Sequence, residues 1–251
     1  EALVVAKNES ATHSITIEKY MKDKQDFSMT YLIKNGKPYL IRTGDRYLGK
    51  KEDGLQNQCA FLISPSRFSK LFLDNVNNKF CNLIKDVGIQ NGPVFVQGFI
   101  DGDTIRFYDP GLRFPGSDYE RLLDKATGIN VMKQMVAYCL GGDIDDYNGN
   151  ISKAYKLNGY CSLQMMVDCR EGVIAEFNGF DEIEAIEGVI YVARKASVGT
   201  YIPASGDVKQ RVAEIVMMVK DDEKSIKNIV KKAKELGMPA VAITDHGNMY
   251  A

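Results

Sequence analysis

The sequence predicts an α+β protein whose strands are mostly antiparallel, and two hairpin signals and one amphipathic period carry that expectation. Asn35-Gly36 separates the apolar-rich runs 27–33 and 38–42, and this dipeptide suits a two-residue turn with both central residues at positive φ. Asp101-Gly102-Asp103 joins 94–100 to 104–108 as a second hairpin. Between them, Phe68, Leu71, Phe72, Val76, Phe80, Leu83, Ile84 and Val87 recur at helical spacing after a Ser-Pro-Ser start, which predicts a helix over 66–87.

The remaining elements follow in chain order. Residues 14–21 alternate weakly, as a strand does, and a polar turn follows at 22–25. Residues 130–140 read as a helix stopped by Gly141-Gly142. From Ser162 the pattern becomes short strands, with turns at Arg170-Glu171-Gly172 and Ser205-Gly206-Asp207. Two further helices are expected at 208–219 and 223–236. Internal repeats and low-complexity segments are absent from the sequence.

Composition narrows the function classes. With 251 residues and 45% hydrophobic content, the chain can bury the core of one large domain or two small ones. Its 32 basic and 33 acidic residues leave a formal charge of -1, so no global field would hold a polyanion or a membrane surface. Nucleic acid and membrane are therefore not expected as partners, and any phosphate contact must be local. The five cysteines are odd in number and lack a CxxC pair, which argues for reduced thiols over a disulfide framework or a zinc site. No signal peptide and no apolar run of about 18 residues are evident, so a cytoplasmic location is expected. The first residue is Glu1, which reads as the product of processing, cloning or truncation.

The stretch 92–116 carries the most chemistry. With a three-residue loop at 101–103, Gln97 faces Phe107 and Asp109 lies two residues further on the same face, so Gln97 and Asp109 converge. A two-residue loop reverses the parity and puts Arg106 and Tyr108 beside Gln97 instead. Two oxygen donors with Arg113 just beyond suit magnesium shared with substrate phosphates. The plainer reading is a solvated hairpin in which Asp109-Pro110-Gly111 makes a turn. Lys34 and Lys37, at the tip of the first hairpin, read as solubilising charges.

Several features in order resemble the ATP-grasp superfamily. Glu18-Lys19-Tyr20-Met21 resembles its adenine hinge, followed by Asp26 after a polar turn and then the Asn35-Gly36 hairpin. Gln97, Asp101-Gly102 and the run Asp109 to Gly116 resemble the strand, turn and Glu-x-Asn-x-Arg-x-x-Gly motif that supply metal and phosphate ligands. Residues 127–130 and 199–212 are also similar to the family. In this sequence Asp109 replaces the motif's glutamate and Gly111 its asparagine. The resemblance implies an ATP-grasp fold comprising part of the small lid domain and a C-terminal domain with a mainly antiparallel sheet. It implies division into a lid remainder at 1–43, a nucleotide- and metal-binding domain at 44–200, and a hairpin-and-helix end at 201–251.

It further implies ATP and Mg2+ as cofactors, with Gln97 and Asp109 as metal ligands and Arg113 as the catalytic charge. Glu18, Tyr20, Met21 and Asp26 would line the nucleotide. The implied activity joins a small-molecule carboxylate to an amine through an acyl phosphate, and a homodimer is left open. The family's N-terminal substrate domain, with its phosphate-gripping lysines, would precede Glu1. A catalytically incomplete nucleotide-binding module or fragment is the alternative.

The last 20 or so residues resemble something else, the start of the PHP metal-dependent phosphoesterase domain of bacterial replicative polymerases. Asp245 and His246 in Thr244-Asp245-His246-Gly247 have metal-ligand chemistry, but His13 is the one other histidine, too few for a multi-ligand cluster.

Overall fold

A computed structural model describes residues 2–49, 59–145, 147–205 and 208–220. Its centre is an eight-stranded sheet in the order β5-β4-β1-β2-β3-β6-β10-β8, with every neighbouring pair antiparallel. After α1 (Ala2–Glu9), β1 (Asp26–Lys34) and β2 (Lys37–Leu48) form the first hairpin. Asn35 and Gly36 take φ of 49° and 73°, the left-handed pair that lets a two-residue turn match strand twist. Then come β3 (Cys59–Ser64), α2 (Ser69–Asn75), α3 (Asn77–Val87), β4 (Gly92–Asp101) and β5 (Thr104–Gly111). The second half holds α4 (Tyr119–Thr127), α5 (Val131–Cys139), a 3-10 segment (Tyr147–Gly159), β6 (Tyr160–Asp168) and α6 (Phe180–Glu184). The sheet is completed by β8 (Val189–Arg194) and β10 (Arg211–Lys220), while β7 (Gly172–Val173) and β9 (Tyr201–Ile202) make a small ribbon.

Alternation in β1 divides the core into two layers. Phe27, Met29, Tyr31 and Ile33 point to one face and pack with Phe72 of α2 and Ile84 of α3. Leu32 points to the other, joining Ile41, Val216, the buried side of α4 and Leu157 of the 3-10 segment. The β1–β2 register shifts between Thr30 and Tyr31, so that Tyr31 pairs with Leu40 but Thr30 with Arg42. Ile41 is the extra residue, and by breaking the alternation it turns Arg42 onto the same face as Thr30.

Beyond β5 the chain crosses that face. Arg113 lies over the Phe95 ring, Phe114 packs against the Leu32 layer, the Asp118 amide donates to Glu214, and the Tyr119 ring covers Arg42. The crossing segment roofs the middle of the sheet.

Both hairpins, the helix over 131–139 and the antiparallel class agree with the sequence. Asn130 caps that helix by accepting from the Lys133 amide at 2.8 Å. Several expectations need correction or limits. Residues 14–21 have no regular structure, since no described strand offers its backbone groups partners. The helix expected at 66–87 is two helices, broken at Val76, whose φ of -124° leaves the helical region. Residues 211–220 form a strand where a helix was expected, because Val212 to Val219, apolar and rich in β-branched residues apart from Glu214, runs between β6 and β8. The helix expected at 223–236, the Asp245-His246 pair, and Gly206 and Asp207 of the turn at 205–207 lie outside the described residues. The division drawn after residue 43 falls inside β2, which pairs with β1 on one side and β3 on the other in one sheet.

Phe72 is fully buried against the rings of Phe27 and Tyr31, with centroids at 5.6 and 6.4 Å. Phe72→Ala is expected to lower stability by about 3–5 kcal/mol in urea unfolding, as a truncated core aromatic does.

Candidate functional site

The hairpin of β4 and β5 has a two-residue loop, with Asp101 paired to Thr104 and Gly102 at a φ of 62°. Asp101 is held as the last residue of β4 by Lys24 at 3.0 Å and Arg106 at 3.3 Å. Gln97 therefore faces Tyr108, and the expected pairing with Phe107 is corrected by one residue. The ladder then slips, because Phe95 pairs with Gly111 and the single residue Val96 stands against Asp109 and Pro110. Asp109 takes a left-handed φ of 48°, and this bulge returns its side chain to the face of Gln97 and Tyr108. Gln97 and Asp109 meet after all, by a route other than simple alternation.

Arg46 organises the group. Its Nη1 donates to Asp26 Oδ2 at 2.6 Å, to the Tyr108 hydroxyl at 2.9 Å and to the Gln97 side-chain oxygen at 2.6 Å. With its oxygen turned to Arg46, the Gln97 amide donates to Asp109 Oδ2 at 3.2 Å. Tyr108 also donates to Asp26 Oδ2, at 2.8 Å. Asp26 is buried, and its Oδ1 has no hydrogen-bond partner among the described residues. Burial pushes the Asp26 carboxyl up to about 6, against the pull of Arg46 and the Tyr108 hydroxyl. At the rim, Arg113 Nη2 reaches Asp109 Oδ2 at 3.4 Å, an exposed pair that holds Asp109 only weakly.

The structure thus brings together Asp26, Gln97, Asp109 and Arg113 of the residues named from sequence. Glu18 and Tyr20 are exposed in the irregular segment before β1, and Met21 is half-buried there. Among the described residues, no hydrogen bond or ion pair joins these three to the group around Arg46. Sequence reasoning missed Arg46, although counting back through the Asn35-Gly36 turn places it within one residue of pairing with Asp26.

A second charged group lies further along the same face. The buried Glu214 carboxylate accepts from the Asp118 amide at 3.3 Å, and Lys195 reaches Asp118 at 3.3 Å and Glu214 at 3.7 Å. Glu120 is close by, and burial pushes its carboxyl up to about 7. Among the described residues, no cluster of three or more His, Cys, Asp or Glu side chains could hold a metal ion alone. None of their helices is long and apolar enough to cross a membrane.

This architecture is the ATP-grasp fold. The L-amino acid ligase of Bacillus licheniformis superposes with a TM-score of 0.69 at 16% identity, over 85% of this chain and 51% of that one. The biotin carboxylase of Campylobacter jejuni, solved as a complex with a β,γ-ATP ligand, superposes with a TM-score of 0.65 at 16% identity, over 93% and 51%. This chain therefore spans about half the length of those enzymes. Residues 216–251 match the PHP domain model. A PolC-type DNA polymerase III of Thermotoga maritima is 29% identical over 135 residues, covering 41% of this chain and 9% of that protein.

Two pH-dependent outcomes follow from the buried acids. Because the folded pKa of Glu120 lies above its unfolded value of 4.5, its ionisation opposes folding as pH rises from about 4.5 to about 7. Glu120→Gln should match the parent at pH 5 and exceed it by about 1–3 kcal/mol at pH 8 in urea unfolding. Arg46→Ala leaves the buried Asp26 carboxylate without its counter-ion and should cost about 3–5 kcal/mol at pH 8. Asp26 is likewise raised, so the Arg46→Ala loss should shrink at pH 5, where the carboxyl takes up its proton.

Proposed function

We propose that the chain binds ATP with magnesium at Gln97 and Asp109 and serves as the nucleotide-binding part of a ligase. That ligase would join a small-molecule carboxylate to an amine-type nucleophile through an acyl phosphate. The observation that carries the reading is the bulge at Asp109, which sets a carboxylate beside the Gln97 amide on one face, with Arg113 at the rim.

The donor set fits the metal. Magnesium takes hard oxygen ligands and is commonly held by one or two carboxylates, with nucleotide and water supplying the rest. Gln97 and Asp109 would hold it. When bound, the ion supplies charge neutralisation at the phosphate oxygens.

The protein's own groups do the positioning. Arg46 holds the Gln97 oxygen on its own side, so that oxygen would reach an ion at Asp109 only once the amide turns over. Arg113 is free to move from its exposed pair with Asp109 to a transferred phosphoryl group. The unpartnered Oδ1 of Asp26 supplies an acceptor for a ribose hydroxyl, and Glu18, Tyr20 and Met21, just upstream of β1, would border the base. A cytoplasmic setting and small-molecule substrates accord with this chemistry.

Gly111 favours a second reading, a nucleotide-binding module without turnover, because it offers no side-chain oxygen where the resembled motif has asparagine. Calorimetric titration with ATP tests the site in both cases. Binding is expected only with magnesium, and Asp109→Ala should weaken it at least about tenfold, the loss of one charged ligand. Equal binding by the parent and Asp109→Ala would overturn the assignment. ADP release on adding a carboxylate and an amine separates ligase from module.

A further inference from the structure

Beyond the group around Arg46, the unpartnered buried polar atoms of this face gather at one place. Arg42 is completely buried, and among the described residues none of its three guanidinium nitrogens has a hydrogen-bond partner. The Ser64 hydroxyl and both polar atoms of the Gln164 amide are equally unpartnered, on residues with no exposed surface.

Register brings these side chains together. The bulge at Ile41 turns Arg42 to this face. A β-carbon placed on Gly44 would lie 3.1 Å from Ser64 Oγ and 3.3 Å from both Arg42 Nη2 and Leu62 Cδ2, so the two polar groups converge over the glycine beside Leu62. Gln164 pairs with Leu62, and Ser64 with Ser162, which sets Gln164 diagonal to Ser64 on the same side. The Tyr119 ring, 5.0 Å from Arg42 Cζ, closes the top. Burial brings Arg42 down to about 10, so it stays a cation at neutral pH; Glu120 attracts it through space, and no described carboxylate bonds to it.

A buried cation without a partner is costly unless something bonds to it. Three guanidinium donors, a hydroxyl and an amide N–H are the complement of a carboxylate, which accepts several bonds and takes a guanidinium side-on. We propose that Arg42, Ser64 and Gln164 form a pocket for one carboxylate of a small dicarboxylic acid, the substrate whose other carboxylate is activated at Gln97 and Asp109.

The placement of the second end rests on the ligase reading. Gly44 pairs with Ser28, and Ser28 with Gln97, so two strand steps, roughly 10 Å, separate the pocket from the proposed metal ligands. Ser28 and Gly44 leave little bulk on that path. The substrate would lie across β1, anchored at Arg42 and reacting at the far end.

Binding of the anchor needs no nucleotide, which separates this test from the ATP titration. Succinate and glutarate are added without ATP to the parent chain, Arg42→Met and Gly44→Ala, with acetate and inorganic phosphate as controls. Circular dichroism establishes that each variant is folded. The parent should show a rising Tm with succinate or glutarate, and calorimetry should give a Kd at least tenfold weaker in both variants. Gly44→Ala keeps the charge but crowds the point where Arg42 and Ser64 meet, so it tests the pocket even if Arg42→Met fails to fold. An equal response to acetate would overturn the dicarboxylate assignment in favour of a monocarboxylate site, and an equal response to phosphate would overturn it in favour of a general oxyanion site. No response in the parent, or an undiminished response in Gly44→Ala, would overturn the pocket itself.

Discussion

The site depends on one guanidinium. Arg46, on β2, reaches Asp26 on β1, Tyr108 on β5 and the Gln97 amide on β4, so a single side chain ties four strands across one face. A buried arginine is tolerated when a carboxylate and further acceptors surround it, and all of these are supplied here within 3 Å. The same contacts fix the Gln97 amide in one orientation, which passes its N–H to Asp109. Backbone register and side-chain electrostatics are therefore one problem in this protein. A slip of one residue in either hairpin would separate Arg46 from its acceptors and turn the candidate ligands to opposite faces.

What could be read from the sequence was what short-range chemistry dictates. Asn35-Gly36 specifies its turn because few residues tolerate two consecutive positive φ values, and Asn130 caps a helix through its own side chain. The path from Gln97 to Asp109 was not legible in the same way. Alternation from a three-residue loop brings the two together on paper. In the structure the loop is shorter by one, and a bulge at Asp109 restores the parity. Bulges leave no signature in single-sequence periodicity, so the convergence could be guessed but not its mechanism. Arg42 stayed hidden for the same reason, since the extra residue at Ile41 decides which face it joins.

Residues 211–220 teach a different lesson. A run that is apolar apart from Glu214 suits a buried helix and a strand covered on both sides equally well, and only the neighbours β6 and β8 decide between them. Tertiary pairing, absent from local pattern, settled the strand.

That strand has a consequence for whatever adjoins it. The match to the PHP domain starts at residue 216, whereas Val216 and Met217 are buried inside β10, so the two patterns share residues with no spacer between them. β10 ends at Lys220, opposite Tyr160 of β6, and is flanked by antiparallel neighbours on both sides. Tension applied at Lys220 runs along the strand axis and loads the hydrogen bonds of both ladders in shear, all at once instead of one after another. The sheet therefore makes a stiff mechanical anchor at Lys220, and a pull there would be shared between β6 and β8.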